Sequence, residues 1–159
     1  MNKVARIAIV EDIKEVALEL QEIINEQNDM ECRQVYFNAE DAINFFPGNP
    51  ADLFIVDIQL PRKSGLDVIA TLKPICPDTI FCVFTVWNDR DKIFQAIDNE
   101  VQGYLLKETI LEDHVIQKND RAEKIIQSLR KLLQGNMQWS PKVTEEIVKT
   151  IRDPFDTDA

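Results

Sequence analysis

Asp57 ends the short apolar run Leu53-Phe54-Ile55-Val56 and begins a segment, Ile-Gln-Leu-Pro-Arg-Lys-Ser-Gly, whose Pro61 and Gly65 cannot continue a strand. A carboxylate at the carboxyl end of a buried strand stands where ligands bind in open α/β sheets. Alone it has an ordinary alternative, since Asp commonly caps turns. Three other places in the chain repeat the pattern. Glu11 and Asp12 follow the apolar stretch Val4 to Val10, Thr85 closes Thr79 to Val86 save for one residue, and Lys107 follows Val101 to Leu106. If those strand ends meet, three carboxylates, a hydroxyl and an ammonium share one site. Three carboxylates within a few ångströms do not all ionise without a compensating cation. Oxygen donors of this kind suit a hard ion such as Mg²⁺ (or Mn²⁺), which keeps water and phosphate oxygens among its ligands. A nucleophilic carboxylate with a metal, an ammonium and a hydroxyl around it can accept a phosphoryl group.

Whether those ends meet depends on the elements between them. Ile13, Val16, Ala17, Leu20, Ile23 and Ile24 recur at three- and four-residue steps and predict a helix with Glu15, Glu19 and Glu22 towards solvent. Cys32 to Phe37 reads as a strand, Asn38 as the N-cap of a helix over Ala39 to Phe46, and Pro47 to Pro50 as a turn. A helix from about Leu66 to Lys73 ends before Pro74, and a weaker one covers Asn88 to Glu100 with Ile93, Phe94 and Ile97 inward. Strands alternating with helices predict a parallel sheet covered on both faces. The spacing fits a flavodoxin-like, doubly wound α/β fold of five strands in order 2-1-3-4-5, which sets strand 1 beside strand 3.

Beyond Lys107 the pattern is polar until a helical stripe returns over about Ala122 to Leu133, closed by Gly135 and Asn136. Ser140-Pro141 opens a last helix, Ser as cap, with Val143, Ile147, Val148 and Ile151 on one side; Asp153 to Ala159 reads as frayed. The division expected is a domain over residues 1–135 and a linker helix with its tail over 136–159.

The chain has 159 residues and a formal charge of −10, with 45% hydrophobic and 29% charged residues. That is ample for one cored domain, and the charge disfavours direct nucleic-acid binding, which needs clustered Lys and Arg. No apolar run reaches transmembrane length and no signal-peptide core opens the sequence, so the expected location is cytoplasmic, away from membranes. Cys32, Cys76 and Cys82 are odd in number, lack metal-ligand spacing, and read as reduced thiols.

In order, these motifs resemble the receiver domain of two-component response regulators, over residues 4 to about 135. Glu11-Asp12 stand where that family has its acidic pair, and Asp57 in Val-Asp-Ile-Gln-Leu-Pro-Arg-Lys-Ser-Gly matches its phosphoacceptor motif. Thr85 matches the switch hydroxyl, Tyr104 the switch aromatic and Lys107 the lysine of Gly-Tyr-Leu-Leu-Lys-Glu. The resemblance implies a sensor histidine kinase as donor, Mg²⁺ held by Glu11, Asp12, Asp57 and the Gln59 backbone carbonyl, and slow self-catalysed transfer and autodephosphorylation as the only chemistry. It also implies a switch in which Thr85 moves towards the phosphoryl group and Tyr104 turns inward from a solvent-facing position. Gln59, Val86 and Trp87 occupy positions that tune hydrolysis, and Val86 is bulkier than the small residue usual there.

The later segment Leu-Leu-Gln-Gly-Asn-Met-Gln-Trp-Ser-Pro-Lys-Val is similar to LuxR/NarL-type regulators, in which this helix joins the receiver to a helix-turn-helix domain. The 159 residues stop about where that domain would begin, as part of a longer regulator or as a receiver without output. DNA is then bound only through a domain absent from this chain, and a homodimer on phosphorylation is the further partner implied. Relative to the family, Glu108 to Arg121 carries a surplus of roughly ten residues.

The bland alternatives are Asp12 as the N-cap of the first helix, Thr85 as an ordinary strand residue, Tyr104 as half-buried core, and His114 as a solvated side chain. A flavin-binding module of the same fold needs a phosphate cradle after strand 1, where Glu11-Asp12 would repel phosphate. A hydrolase turning over an aspartyl phosphate wants an acid two residues past the nucleophile, where this chain has Gln59. A degenerate or stand-alone receiver acting as an interaction module is the remaining alternative.

Overall fold

Parallel pairing of short apolar strands organises the whole structure, a computed structural model that describes residues 3–86, 89–107 and 118–152. The strands are β1 (Ala5–Val10), β2 (Met30–Tyr36), β3 (Leu53–Val56), β4 (Ile80–Thr85), β5 (Gly103–Leu106) and β6 (Gln138–Trp139). The helices are α1 (Lys14–Asn25), α2 (Ala39–Phe45), α3 (Gly65–Leu72), α4 (Arg90–Asp98), α5 (Lys118–Leu133) and α6 (Pro141–Arg152). The sheet order is β2-β1-β3-β4-β5-β6, every pair parallel. The expected 2-1-3-4-5 core is present, but the expectation of five strands is corrected to six. The reason is local. β6 is two residues long, too short for any periodicity to show, and it forms only because β5 offers it an open edge.

Because side chains alternate along a strand, each strand serves both faces. Ala8, Val10, Phe54, Val56, Phe81, Val83, Tyr104 and Leu106 point to one face, under α2, α3, α4 and the Val143 side of α6. Ile7, Ile9, Leu53, Ile55, Cys82, Phe84 and Leu105 point to the other, under α1 and α5. The sheet is doubly wound, and β1, between β2 and β3, is buried on both sides.

Local chemistry sets the helix starts. Asn38 caps α2 by accepting from Asp41 N–H at 2.8 Å. Ser64 and Asp67 form a capping box at α3, which fixes where the chain turns after the Asp57 loop. At the C-terminus of α5, Gly135 adopts φ +94°, and Asn136 N–H reaches Lys131 O while Gly135 N–H reaches Leu132 O. That Schellman turn reverses the chain and delivers β6 to the β5 edge.

Several side chains depart from the expected pattern. Ile13 precedes α1 and is exposed, and Ile97 of α4 is exposed while Ala96 takes the buried place beside Ile93. On α6 only Val143 is buried; Val148 and Ile151 face solvent. Helix α5 begins at Lys118, about one turn before the expected Ala122. Trp87, His114, most of the 108–121 segment and the tail after Arg152, expected to fray, lie outside the described residues. Cys32, Cys76 and Cys82 are free and buried.

Candidate functional site

Strand register decides which side chains share the carboxyl edge. Val10 pairs with Val56, and Asp57 N–H donates to Val10 O at 3.1 Å, so Glu11 and Asp57 emerge side by side. Thr85 pairs with Leu106, which places the Thr85 hydroxyl beside the residue that precedes Lys107. The expected meeting of strand ends therefore occurs. Glu11, Asp12 and Asp57 each offer a carboxylate oxygen, all within 4.8 Å of one another. Glu11 and Asp57 are buried, whereas Asp12 is exposed at the rim. Ile13, not Asp12, occupies the N-cap position of α1, so the capping alternative for Asp12 does not hold.

Lys107 is the buried cation of the cluster. Its Nζ donates to Asp57 Oδ2 at 3.0 Å and to Glu11 Oε1, and it lies 5.8 Å from the centre of the Phe84 ring. Burial raises the Glu11 pKa to about 7, with the nearby Asp57 charge adding to it and the Lys107 hydrogen bond only partly opposing it. For Lys107 burial works downward, but the hydrogen bond to Glu11 and the two carboxylate charges outweigh it and hold the ammonium above its ordinary value.

The Asp57 loop is shaped by a close backbone approach. A Cβ on Gly65 would sit 1.9 Å from Asp57 O, so α3 can begin against the end of β3 only with glycine there. Gly65 N–H donates to Ile58 O at 2.8 Å, and Gln59 N–H to Asp57 Oδ1 at 3.3 Å. Arg62 takes φ +69° in this loop and reaches both carboxylate oxygens of Glu40 at 3.1 Å. Gln59 and Val86 are exposed beside the site, and Thr85 is fully buried at the end of β4.

One expected placement is overturned. Tyr104 does not face solvent: its relative exposure is 0%, and its ring stacks on Trp139 with centroids 5.9 Å apart at 18°. The sixth strand is the cause, since it lays Trp139 over the residue that would otherwise end the sheet. Phe84, under the lysine, was not anticipated either; its place one residue before Thr85 was the available signal.

The residues present suit a hard divalent cation. Three carboxylates against one ammonium leave two formal negative charges, and oxygen is the only donor type. No described helix is long and apolar enough to cross a membrane.

Comparison with known proteins agrees with this geometry. Residues 7–119 match the family described as the response regulator receiver domain, and the chain belongs to that family. It is 26% identical over 144 residues to the oxygen regulatory protein NreC of Staphylococcus carnosus, covering 90% of this chain and 61% of that protein. It is 29% identical over 143 residues to the transcriptional regulatory protein DesR of Bacillus subtilis, covering 89% and 64%. The chain thus spans about three fifths of those curated relatives. Among solved structures, a LuxR-family two-component response regulator from Aurantimonas sp. superposes with a TM-score of 0.80 at 20% identity, over 95% of this chain and 100% of that one. The isolated receiver domain of RcsB from Salmonella enterica serovar Typhimurium, solved with the phosphomimetic BeF₃⁻, superposes with a TM-score of 0.74 at 17% identity, over 91% and 99%. At these identities the likeness to both structures is one of fold.

Proposed function

We propose that Asp57 accepts a phosphoryl group from a sensor histidine kinase and that the acylphosphate changes a partner surface of the domain. The observation that carries this reading is the convergence of Glu11, Asp12, Asp57 and Lys107 at one end of the sheet, with Lys107 Nζ 3.0 Å from Asp57 Oδ2. Glu11, Asp12, Asp57 and the Gln59 carbonyl would hold Mg²⁺ (or Mn²⁺), which when bound neutralises charge on the phosphoryl oxygens. The chain's own residues do the rest. An Asp57 carboxylate oxygen attacks phosphorus, the bond from phosphorus to the donor nitrogen breaks, and the freed imidazole takes up a proton. Lys107 exchanges a carboxylate partner for a phosphoryl oxygen, and the Thr85 hydroxyl is the second donor at that strand end.

The chain acts as an acceptor rather than a turnover enzyme. Gln59, two residues past the nucleophile, carries only amide N–H groups, far too weakly acidic for general acid catalysis, so hydrolysis is slow and tuned by Gln59, Val86 and Trp87. Residues 1–135 form the receiver and 136–159 a linker segment. The names of the relatives support transcription control through an output domain beyond this chain, with the phosphorylated receiver forming a homodimer. The charge of −10 supports the view that the receiver itself does not hold DNA. A cytoplasmic location fits this role.

Acetyl phosphate with Mg²⁺ should add the mass of one phosphoryl group to the wild type and none to Asp57→Asn. Equal gain in both proteins would move the acceptor elsewhere.

A further inference from the structure

The β5 edge, beside the switch residue, is bound by the chain itself. Gln138 N–H donates to Gln102 O at 3.0 Å, and Ser140 N–H to Tyr104 O at 2.9 Å. Leu106 N–H donates to Ser140 Oγ at 2.9 Å; Ser140 stands at the expected cap position of α6, yet its hydroxyl serves β5. Trp139 lies over the Tyr104 ring. Helix α6 then folds onto α4, burying Val143 and half-burying Ile147, with Arg90 Nε 3.5 Å from Glu146 Oε1.

Each of these contacts touches something tied to the site. Leu106 immediately precedes Lys107, whose ammonium holds Asp57 and Glu11. Tyr104 pairs in register with Trp139 and stacks on its ring, and burial, with the charges of Asp89 and then Asp57, holds its hydroxyl well above the ordinary tyrosine range. Arg90 opens the helix that follows the Thr85 strand. The segment is also lightly held: a two-residue strand, then a helix whose Val148 and Ile151 remain in solvent. Such elements open at lower free energy than the core.

We infer that residues 138–152 are an intramolecular ligand of the β5–α4 face, and that their docking and phosphorylation of Asp57 favour each other. The inference rests on Asp57 being the phosphoacceptor. Docking ties β5 at Gln102, Tyr104 and Leu106 and so fixes the strand that carries Lys107. A phosphoryl group arriving at Asp57 then finds its cationic partner already ordered, and the inward place of Tyr104 already filled. By linkage, the phosphoryl group must strengthen docking by the same factor that docking strengthens its binding.

Beryllofluoride with Mg²⁺, a phosphate mimic, provides the test on the 159-residue chain. Trp139→Ala, by releasing the segment, should weaken its binding about fivefold or more, the lower end of the usual coupling between two linked sites. Glu146→Arg should weaken it as well, and the charge-swapped pair Arg90→Glu with Glu146→Arg should recover the loss. In the wild type, which needs no variant to fold, saturating beryllofluoride should slow hydrogen exchange at the Gln138 and Ser140 amides by the same factor. Unchanged exchange there while the wild type binds the mimic overturns the inference and leaves Asp57 as acceptor. Tighter binding by Trp139→Ala also overturns it, since docking would then oppose the phosphorylated form. A wild type that takes up no mimic at all overturns both readings.

Discussion

Replacing Lys107 by Met removes the buried cation while keeping a side chain of similar length. The Lys107, Asp57 and Glu11 side chains are 9%, 7% and 4% exposed, so the two carboxylates left behind cannot turn to water. Removing one partner of a buried pair costs about 3–5 kcal/mol, against roughly 5–15 kcal/mol of total stability for a domain. The cost should depend on pH in a defined way. In the wild type, Glu11 titrates near 7 when folded and near 4.5 when unfolded. Its contribution is therefore fully present below pH 4.5, fades as pH rises to about 7, and is constant above. Without the ammonium, Glu11 keeps its proton to higher pH, so the variant goes on losing stability above 7 where the wild type does not. The folded-state pKa of Lys107 lies above its ordinary value, so its own titration falls outside this range.

Between pH 7 and pH 8.5 the gap should widen by up to about 2 kcal/mol, at 1.36 kcal/mol per unit. Urea midpoints of both proteins at pH 6 and pH 8.5 measure it. Mg²⁺ should narrow the gap at pH 8.5, because without the ammonium the carboxylates bind the ion more tightly, and each tenfold in Kd at saturating ion adds about 1.4 kcal/mol to the variant relative to the wild type. Parallel losses at both pH values, indifferent to Mg²⁺, would refute the view that Lys107 serves as counter-charge to the cluster.

Two further expectations follow from the site geometry. Because Glu11 must lose a proton to bind a metal, apparent Mg²⁺ affinity measured calorimetrically should fall up to about tenfold per pH unit below 7 and level off above it; Glu11→Gln should bind more weakly and with a flat profile. Gly65→Ala places a methyl group 1.9 Å from Asp57 O, and backbone cannot yield as a flexible side chain can, so the urea midpoint should drop by the equivalent of about 3 kcal/mol or more; an unchanged midpoint would mean that the Asp57 loop is looser than this contact implies.

Much of the site was legible in the sequence because each of its members ends a strand whose apolar character announces itself. Leu53 to Val56 and Ala5 to Val10 are buried almost without interruption, so the first polar residue after each run must lie at the edge, and parallel order then brings those edges together. Asn38 was legible for the same local reason, a cap acting three residues away. What could not be read depended on partners distant in sequence. The pairing of Lys107 with Glu11 joins residues 96 apart, and nothing near either residue specifies it. Ile97 and Ile13 have side chains that belong in a core, yet both are exposed, since periodicity marks a face without marking how far the packing over it reaches.

The sixth strand carries this lesson furthest, because it alters the expected behaviour of a site residue. Gln138-Trp139 has no strand-like pattern of its own, and the residues that make it a strand are Gln102 and Tyr104, whose carbonyls accept from Gln138 and Ser140 N–H. Once it is bound, Tyr104 ceases to be an edge residue. Its ring is fully buried and stacks on Trp139, while Ser140 ties the β5 backbone at Tyr104 and Leu106. A tyrosine at a bare edge could turn at the expense of its own burial alone. Here the docked segment already holds the ring inward, so part of the free energy of phosphorylation would go into tightening the segment from Gln138 to Arg152.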